Sequence, residues 1–166
     1  AEPTKVATTW SSQYNSSNYS GNNATDGNSG TSWSSGPANY SGGTNNTVST
    51  WTSDGNIFGE WIQIEYSTPS IFRNFEVTIN GHDVGSEAKD ITILGSDTGT
   101  GSDETTSTWY RVFDATNISN SAGTHKYPPD EDAFMHVYNQ EQIWNNTFKP
   151  FKFFRIIITK NYGYSW

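Results

Sequence analysis

Two segments alternate apolar and polar side chains with a period of two, and that alternation commits the chain to β-sheet. In 60–66, Ile62, Ile64 and Tyr66 share one side while Gln63 and Glu65 share the other. In 148–160, Phe154, Ile156 and Ile158 oppose Arg155, Ile157 and Thr159. Successive side chains of an extended strand point to opposite faces, so this is the pattern of a strand with one face on a core. Phe75, Val77 and Ile79 repeat it against Glu76, Thr78 and Asn80. Further strands are predicted at 47–52, 89–94, 108–114 and 133–138. A turn is predicted at Ser67–Ser70, an exposed loop at 96–107 and a polar connection at 115–132. Helical periodicity is nearly absent. Short strands without intervening helices predict an antiparallel sandwich or barrel.

Composition then removes whole classes of function. The 166 residues include no Cys, which excludes thiolate metal sites, cysteine nucleophiles and disulfides. A chain of this length is most simply one domain and buries about two thirds of its unfolded surface, so it needs no such staple. The net charge is −8, and no Lys or Arg occurs between Lys5 and Arg73. A polyphosphate partner needs a basic stripe, so nucleic acid is excluded as a partner, as is an anionic membrane held by charge. No apolar run reaches membrane-spanning length, because Lys152 and Arg155 interrupt the stretch from Phe151 to Ile158. The chain begins at Ala1 without an apolar leader, which fits a mature form after leader removal and an excised piece of a protein equally.

Catalysis finds no foothold. The acidic residues show no pairing of the kind glycosidases need. Asp130–Glu131–Asp132 reads as a solvated loop. His82, His125 and His136 lie in separate segments, and no Gly-x-Ser-x-Gly elbow is present. A non-enzyme is expected. Residues 10–58 are rich in Ser, Asn, Gly and Thr and read as long loops, with Trp10, Tyr14, Tyr19, Trp33, Tyr40, Trp51 and Phe58 spaced to anchor them on a core. Sequons begin at Asn15, Asn18, Asn23, Asn39, Asn45, Asn117 and Asn145. They mark surface loops if the chain passes through a secretory pathway.

Within those loops, Ala24-Thr25-Asp26-Gly27-Asn28-Ser29-Gly30-Thr31-Ser32-Trp33-Ser34-Ser35 packs a carboxylate, amide and hydroxyl oxygens and two glycines into one turn. Asp-Gly and Asn-Ser-Gly are ordinary turn formers with no metal. The same oxygens also suit a hard cation such as calcium. An EF-hand is excluded, because its twelfth position demands a bidentate Glu and Pro37 stands there.

The order of motifs resembles the discoidin, or coagulation-factor-type C, domains, which include many carbohydrate-binding modules. The resemblance is carried by Ala24–Ser35, by Gly59-Glu60-Trp61-Ile62-Gln63-Ile64-Glu65-Tyr66, by Ile79–Ser96, by Trp109 and by the run from Phe153 to Gly163. It implies an all-β, jelly-roll-like antiparallel sandwich of about eight strands, galactose-binding-domain-like. It implies a structural calcium held by Asn23, Asp26, Asn28 and Thr31. In the family an Ala-Glu pair in a closing strand completes the metal shell; this chain ends at Trp166 before such a strand, so an uncovered sheet edge is expected.

The resemblance further implies a module of a secreted, cell-surface or virion-surface protein that binds a galactose-type or related glycan. Sugars need aromatic platforms and convergent polar groups. Asn80, His82 and Asp83 are the expected hydrogen-bonding groups, and Tyr162, Tyr164 and Trp166 the expected platforms. Trp33, Trp61 and Trp109 are expected to pack structurally. The alternative is a structural or adhesion module that docks onto another protein chain through the exposed edge.

Overall fold

The structure is a computed structural model. It describes residues 3–14, 18–28, 30–36, 39–45, 48–52, 55–73, 75–79, 85, 87–101, 103–127, 143–144 and 147–163. The strands are β1 Lys5–Trp10, β2 Tyr40–Ser41, β3 Thr44–Asn45, β4 Ser49–Thr52, β5 Gly55–Phe58, β6 Glu60–Ser70 and β7 Phe75–Ile79. They continue as β8 Ala88–Ser96, β9 Tyr110–Ala115, β10 Gly123–Tyr127, β11 Ile143–Trp144, β12 Thr147–Phe148 and β13 Phe151–Asn161. Among the described residues one 3-10 turn is present, at Gly21–Thr25.

The main sheet runs β1-β6-β13-β8-β9, with β3 pairing the far end of β13 through Lys160 and Thr44 and carrying β2 beyond it. Every pairing is antiparallel. The β7–β10 ladder and the β4–β5 hairpin stand apart from this sheet. Ile91, Ile93, Val112, Phe151 and Phe154 form the larger core, with Phe72, Phe75 and Val77 packed against it. The opposite face of the sheet holds a second, smaller core of Ile57, Leu94, Trp109 and Ile157, lined by Trp61 and Phe153. This is an antiparallel β-sandwich. The period-two alternation placed the faces correctly, but the face carrying Gln63 and Arg155 is covered rather than wet.

Arg155 shows how a cation is tolerated there. Its guanidinium lies 4.0 Å from the Trp61 ring centroid and 4.3 Å from that of Trp109. Its nitrogens donate to Gln63 Oε1 at 2.6 and 3.2 Å and to Thr50 Oγ1 at 2.9 Å. Arginine stacks on aromatic faces and presents a rigid fork of donors, so the charge is enclosed without losing its hydrogen bonds.

Three sequence expectations change, and one strand enters where none was predicted. The turn at Ser67–Ser70 is instead the end of β6. Phe153 pairs with Glu65 and Phe151 with Ser70, so Pro69 falls in a register break where no ladder donor is needed. The polar connection at 115–132 contains β10, which pairs residue for residue with β7. The N-terminal residues form β1, which lies on β6 with Trp10 opposite Ile62. The loop-like stretch 10–58 carries the short strands β2, β3 and β5 besides β4, which falls on the strand expected at 47–52. The strand expected at 133–138 lies outside the described residues. Trp10, Trp33 and Tyr40 do anchor the first loops, but Tyr14 and Tyr19 are exposed.

Candidate binding loops and their anchor

The register brings the C-terminal ends of β1, β9 and β13 and the N-terminal ends of β6 and β8 to one end of the sheet. Trp10 faces Ile62, Ile158 faces Glu60, Asn161 faces Ala88 and Ala115 faces Ile91. The loops after β1, before β8 and after β13 therefore share that end. The 3-10 turn folds back along β1. Gly21 is needed at its start, because a Cβ there would run into the Trp10 ring. Thr25 Oγ1 lies 3.0 Å from Thr8 Oγ1, and Lys5 Nζ donates to the Thr25 carbonyl at 2.5 Å. The turn thus lies along edge strand β1, one of the ways proteins manage an open edge.

The Asp26 turn that follows is knotted by its own oxygens. Asp26 Oδ1 accepts from the Asn28 amide at 2.8 Å, and Oδ2 accepts from the Thr31 hydroxyl at 2.7 Å. The Thr31 hydroxyl is also 2.9 Å from the Asn28 carbonyl. Gly27 takes φ +76, a conformation side chains rarely adopt. Asn23 closes the turn from outside, donating through Nδ2 to the carbonyls of Asn18 at 2.9 Å and Ser32 at 3.0 Å. The Asn28 amide, then the Thr31 hydroxyl, hold the Asp26 carboxyl below its usual 3.8. Asp26, Asn28 and Thr31 are therefore gathered into one turn, while Asn23 bonds to the flanking Asn18 and Ser32 carbonyls.

That donor set is all oxygen, which fits a hard cation. It contains one carboxylate. Among the described residues no three His, Cys, Asp or Glu side chains converge.

Tyr162 stands on the other flank. It follows β13, two strands from β1, and leans toward β8. Its hydroxyl donates to the Ile118 carbonyl at 2.6 Å, and Lys89 Nζ lies 5.5 Å from its ring centroid. Strands lie about 4.8 Å apart, so the sheet separates Tyr162 from the Asp26 turn by at least ~10 Å. Asn80, His82, Asp83, Tyr164 and Trp166 lie outside the described residues. Trp33 is half-buried and donates Nε1–H to the Ser12 carbonyl at 2.9 Å. Trp109 is buried, and Trp61 is half-buried on the sheet face.

Sequence reasoning missed the residue that organises this end. Glu60 is fully buried at 0 % exposure. Its carboxylate accepts from the hydroxyls of Ser11 and Ser12, the latter at 2.7 Å, and from the side-chain amide of Asn39. Ser11 in turn accepts from the Trp61 amide at 2.8 Å, and Ser12 from the Gly36 amide at 2.8 Å. Tyr40 completes the cluster, donating to the Ile158 carbonyl at 2.6 Å and receiving the Glu60 amide at 3.3 Å. Burial raises the Tyr40 phenol above its usual range, so it remains a hydroxyl. One carboxylate thus ties both ends of the first long loop to β6. A signal existed: Glu60 has the parity of Ile62, Ile64 and Tyr66, a core-facing position.

This architecture defines a class: the chain has a discoidin-like, galactose-binding-type β-sandwich fold. Among solved structures it is similar to chitosan-binding module 2 of a chitosanase/glucanase from Paenibacillus sp. IK-5, in complex with chitotriose. The identity is 18%, over 95% of this chain and 88% of that one, with a TM-score of 0.51. It is similar to an F5/8 type C domain from Bacteroides fragilis at 17% identity, over 96% and 89% of the two chains, with a TM-score of 0.53. It is similar as well to a chain in the structure of reduced XRCC1 bound to the DNA polymerase β catalytic domain, at 11% identity over 95% and 84%, with a TM-score of 0.54. No protein-family model matches the chain, and no curated protein matches it in sequence. Among the described residues no helix is long and apolar enough to cross a membrane.

Proposed function

We propose that this protein is a non-catalytic carbohydrate-binding module of a secreted, cell-surface or virion-surface protein. The supporting observation is its likeness in fold, over nearly the whole chain, to a module whose structure holds chitotriose. A sandwich that gathers long polar loops at one end suits a ligand with an apolar C–H face and a rim of hydroxyls. Asn80, His82 and Asp83 are the proposed hydrogen-bonding groups toward a galactose-type or related glycan, and Tyr162, Tyr164 and Trp166 the proposed platforms. The Tyr162 hydroxyl is engaged by Ile118, so Tyr162 would act through its ring.

A structural calcium is part of the proposal. The Asp26 carboxylate, the Thr31 hydroxyl and the carbonyls of Asn23 and Asn28 would hold it, with water filling the remaining oxygen positions. Bound there, the ion would brace the turn rather than take part in any reaction.

The test is a glycan array, with Tyr164→Ala as the control. Binding to a defined glycan class that the variant loses supports the reading; no binding to any glycan overturns it. A second reading is docking onto another protein. It is supported by the protein-bound neighbour and by β1, which among the described residues pairs on one side only and leaves Val6 59 % exposed. Sedimentation of the purified chain with and without a candidate partner separates the two.

A further inference from the structure

We infer that Tyr14 and Tyr19 form a sugar-stacking corner on the first long loop, suited to an uncharged or amino-bearing hexopyranose. This rests on the carbohydrate-binding reading and adds a subsite to it. Tyr14 is 54 % exposed and Tyr19 38 %. Their ring centroids are 6.0 Å apart with planes inclined at 67°. Two rings so inclined present their surfaces at an angle to one another rather than as one flat wall. Leaving two large rings in water forgoes the burial that Trp10, Trp33 and Tyr40, on the same loop and the β2 strand that follows it, obtain.

The corner is also held in place. The Tyr14 amide donates to the Ser34 carbonyl at 2.9 Å. The Asn18 carbonyl, next to Tyr19, receives Asn23 Nδ2 at 2.9 Å. Ser12, two residues before Tyr14, is bonded to buried Glu60 at 2.7 Å. Tyr14 itself and the residue before Tyr19 are therefore held by backbone hydrogen bonds, which lowers the ordering cost of binding at those two points. Asn18, next to Tyr19 in the chain, is exposed as well and adds a polar group there.

Charge narrows the ligand. Between Lys5 and Arg73 the only side chains charged at neutral pH are Asp26, Asp54, Glu60 and Glu65, all acidic. Lys5 itself is bonded to Thr25. A carboxylated or sulfated sugar would find no counter-charge on this loop, whereas a hydroxyl or an ammonium would meet no repulsion.

The experiment is isothermal titration of the full chain with glucosamine trimer, N-acetylglucosamine trimer, galactose oligomer and an oligouronate. The variants are Tyr14→Ala, Tyr19→Ala and, to keep apolar volume without a ring, Tyr14→Leu and Tyr19→Leu. The expected result is binding of a neutral or amino sugar by the parent, roughly tenfold weaker in each Ala and Leu variant, the factor that ~1.4 kcal/mol represents. Melting curves matching the parent confirm that the loss lies in the site, and the Leu pair decides the matter if an Ala variant fails to fold. A parent that binds while all folded variants keep its affinity overturns the corner and leaves the carbohydrate reading standing. A parent that prefers the oligouronate overturns the ligand class. A parent that binds none of the four, nor any glycan on the array, overturns the function itself.

Discussion

Glu60→Ala is the perturbation with the largest effect derived from the structure. The carboxylate accepts from Ser11, Ser12 and Asn39 in a site with no solvent access. Removing it leaves three donors to find new partners. Each donor left unsatisfied costs about 1–3 kcal/mol; the Ser11 hydroxyl keeps a second acceptor, the Trp61 carbonyl at 3.3 Å, so the expected loss is about 3 kcal/mol. For a chain of this size each kcal/mol moves the melting temperature by about 2–4 °C, so Tm should fall by roughly 6–12 °C. Scanning calorimetry reads that directly. The local signature is faster hydrogen exchange at the Trp61 and Gly36 amides, which donate to the Ser11 and Ser12 hydroxyls. Glu60→Gln keeps the shape and one acceptor oxygen, so its cost should be near 1 kcal/mol. An Ala variant melting within about 2 °C of the parent, with unchanged exchange at both amides, would refute the idea that this carboxylate anchors the first loop.

Other outcomes follow from the same geometry. Melting should occur at a higher temperature in calcium than in chelator, and Asp26→Asn should abolish the difference; identical curves for the parent remove the metal proposal. The Asp26 carboxyl is held below 3.8, so its bonds to Asn28 and Thr31 stabilise the turn above about pH 4, and that contribution is lost as pH falls through the lower folded value; an NMR titration of Asp26 with an ordinary midpoint would contradict this. Burial pushes Arg155 down to about 10, so it is charged at neutral pH, and Arg155→Lys should still cost about 1–2 kcal/mol through the lost fork on Gln63 and the lost stacking; chemical denaturation at pH 7 measures it. Gly95→Ala should destabilise by about 1–3 kcal/mol, because a Cβ would strike the buried Phe151 ring; an unchanged denaturation midpoint would rule out that close approach.

How much was legible depended on whether a feature is local. The alternation of Phe75, Val77 and Ile79 coincides with β7, and the faces of β6 and β13 were assigned correctly, because side-chain alternation is a property of the extended backbone itself. β1 and β10 were not read, because they carry few buried side chains and owe their structure to partners, β1 to a strand some 50 residues away. The candidate site was partly legible. The Asp26 turn draws its bonds from within six residues, whereas the role of Glu60 requires Ser11, Ser12 and Asn39 to arrive from 21 to 49 positions away.

By itself the sequence determined that this chain folds as sheet, carries no cysteine chemistry and holds an oxygen-rich turn at Asp26–Thr31. Those follow from residue type and short-range spacing. Only the tertiary structure decided that both faces of the main sheet are covered, that a carboxylate is buried beneath the first loop, and that Tyr14 and Tyr19 turn outward while their neighbours anchor. Burial is a property of what packs above a residue, and that neighbour is supplied by the fold.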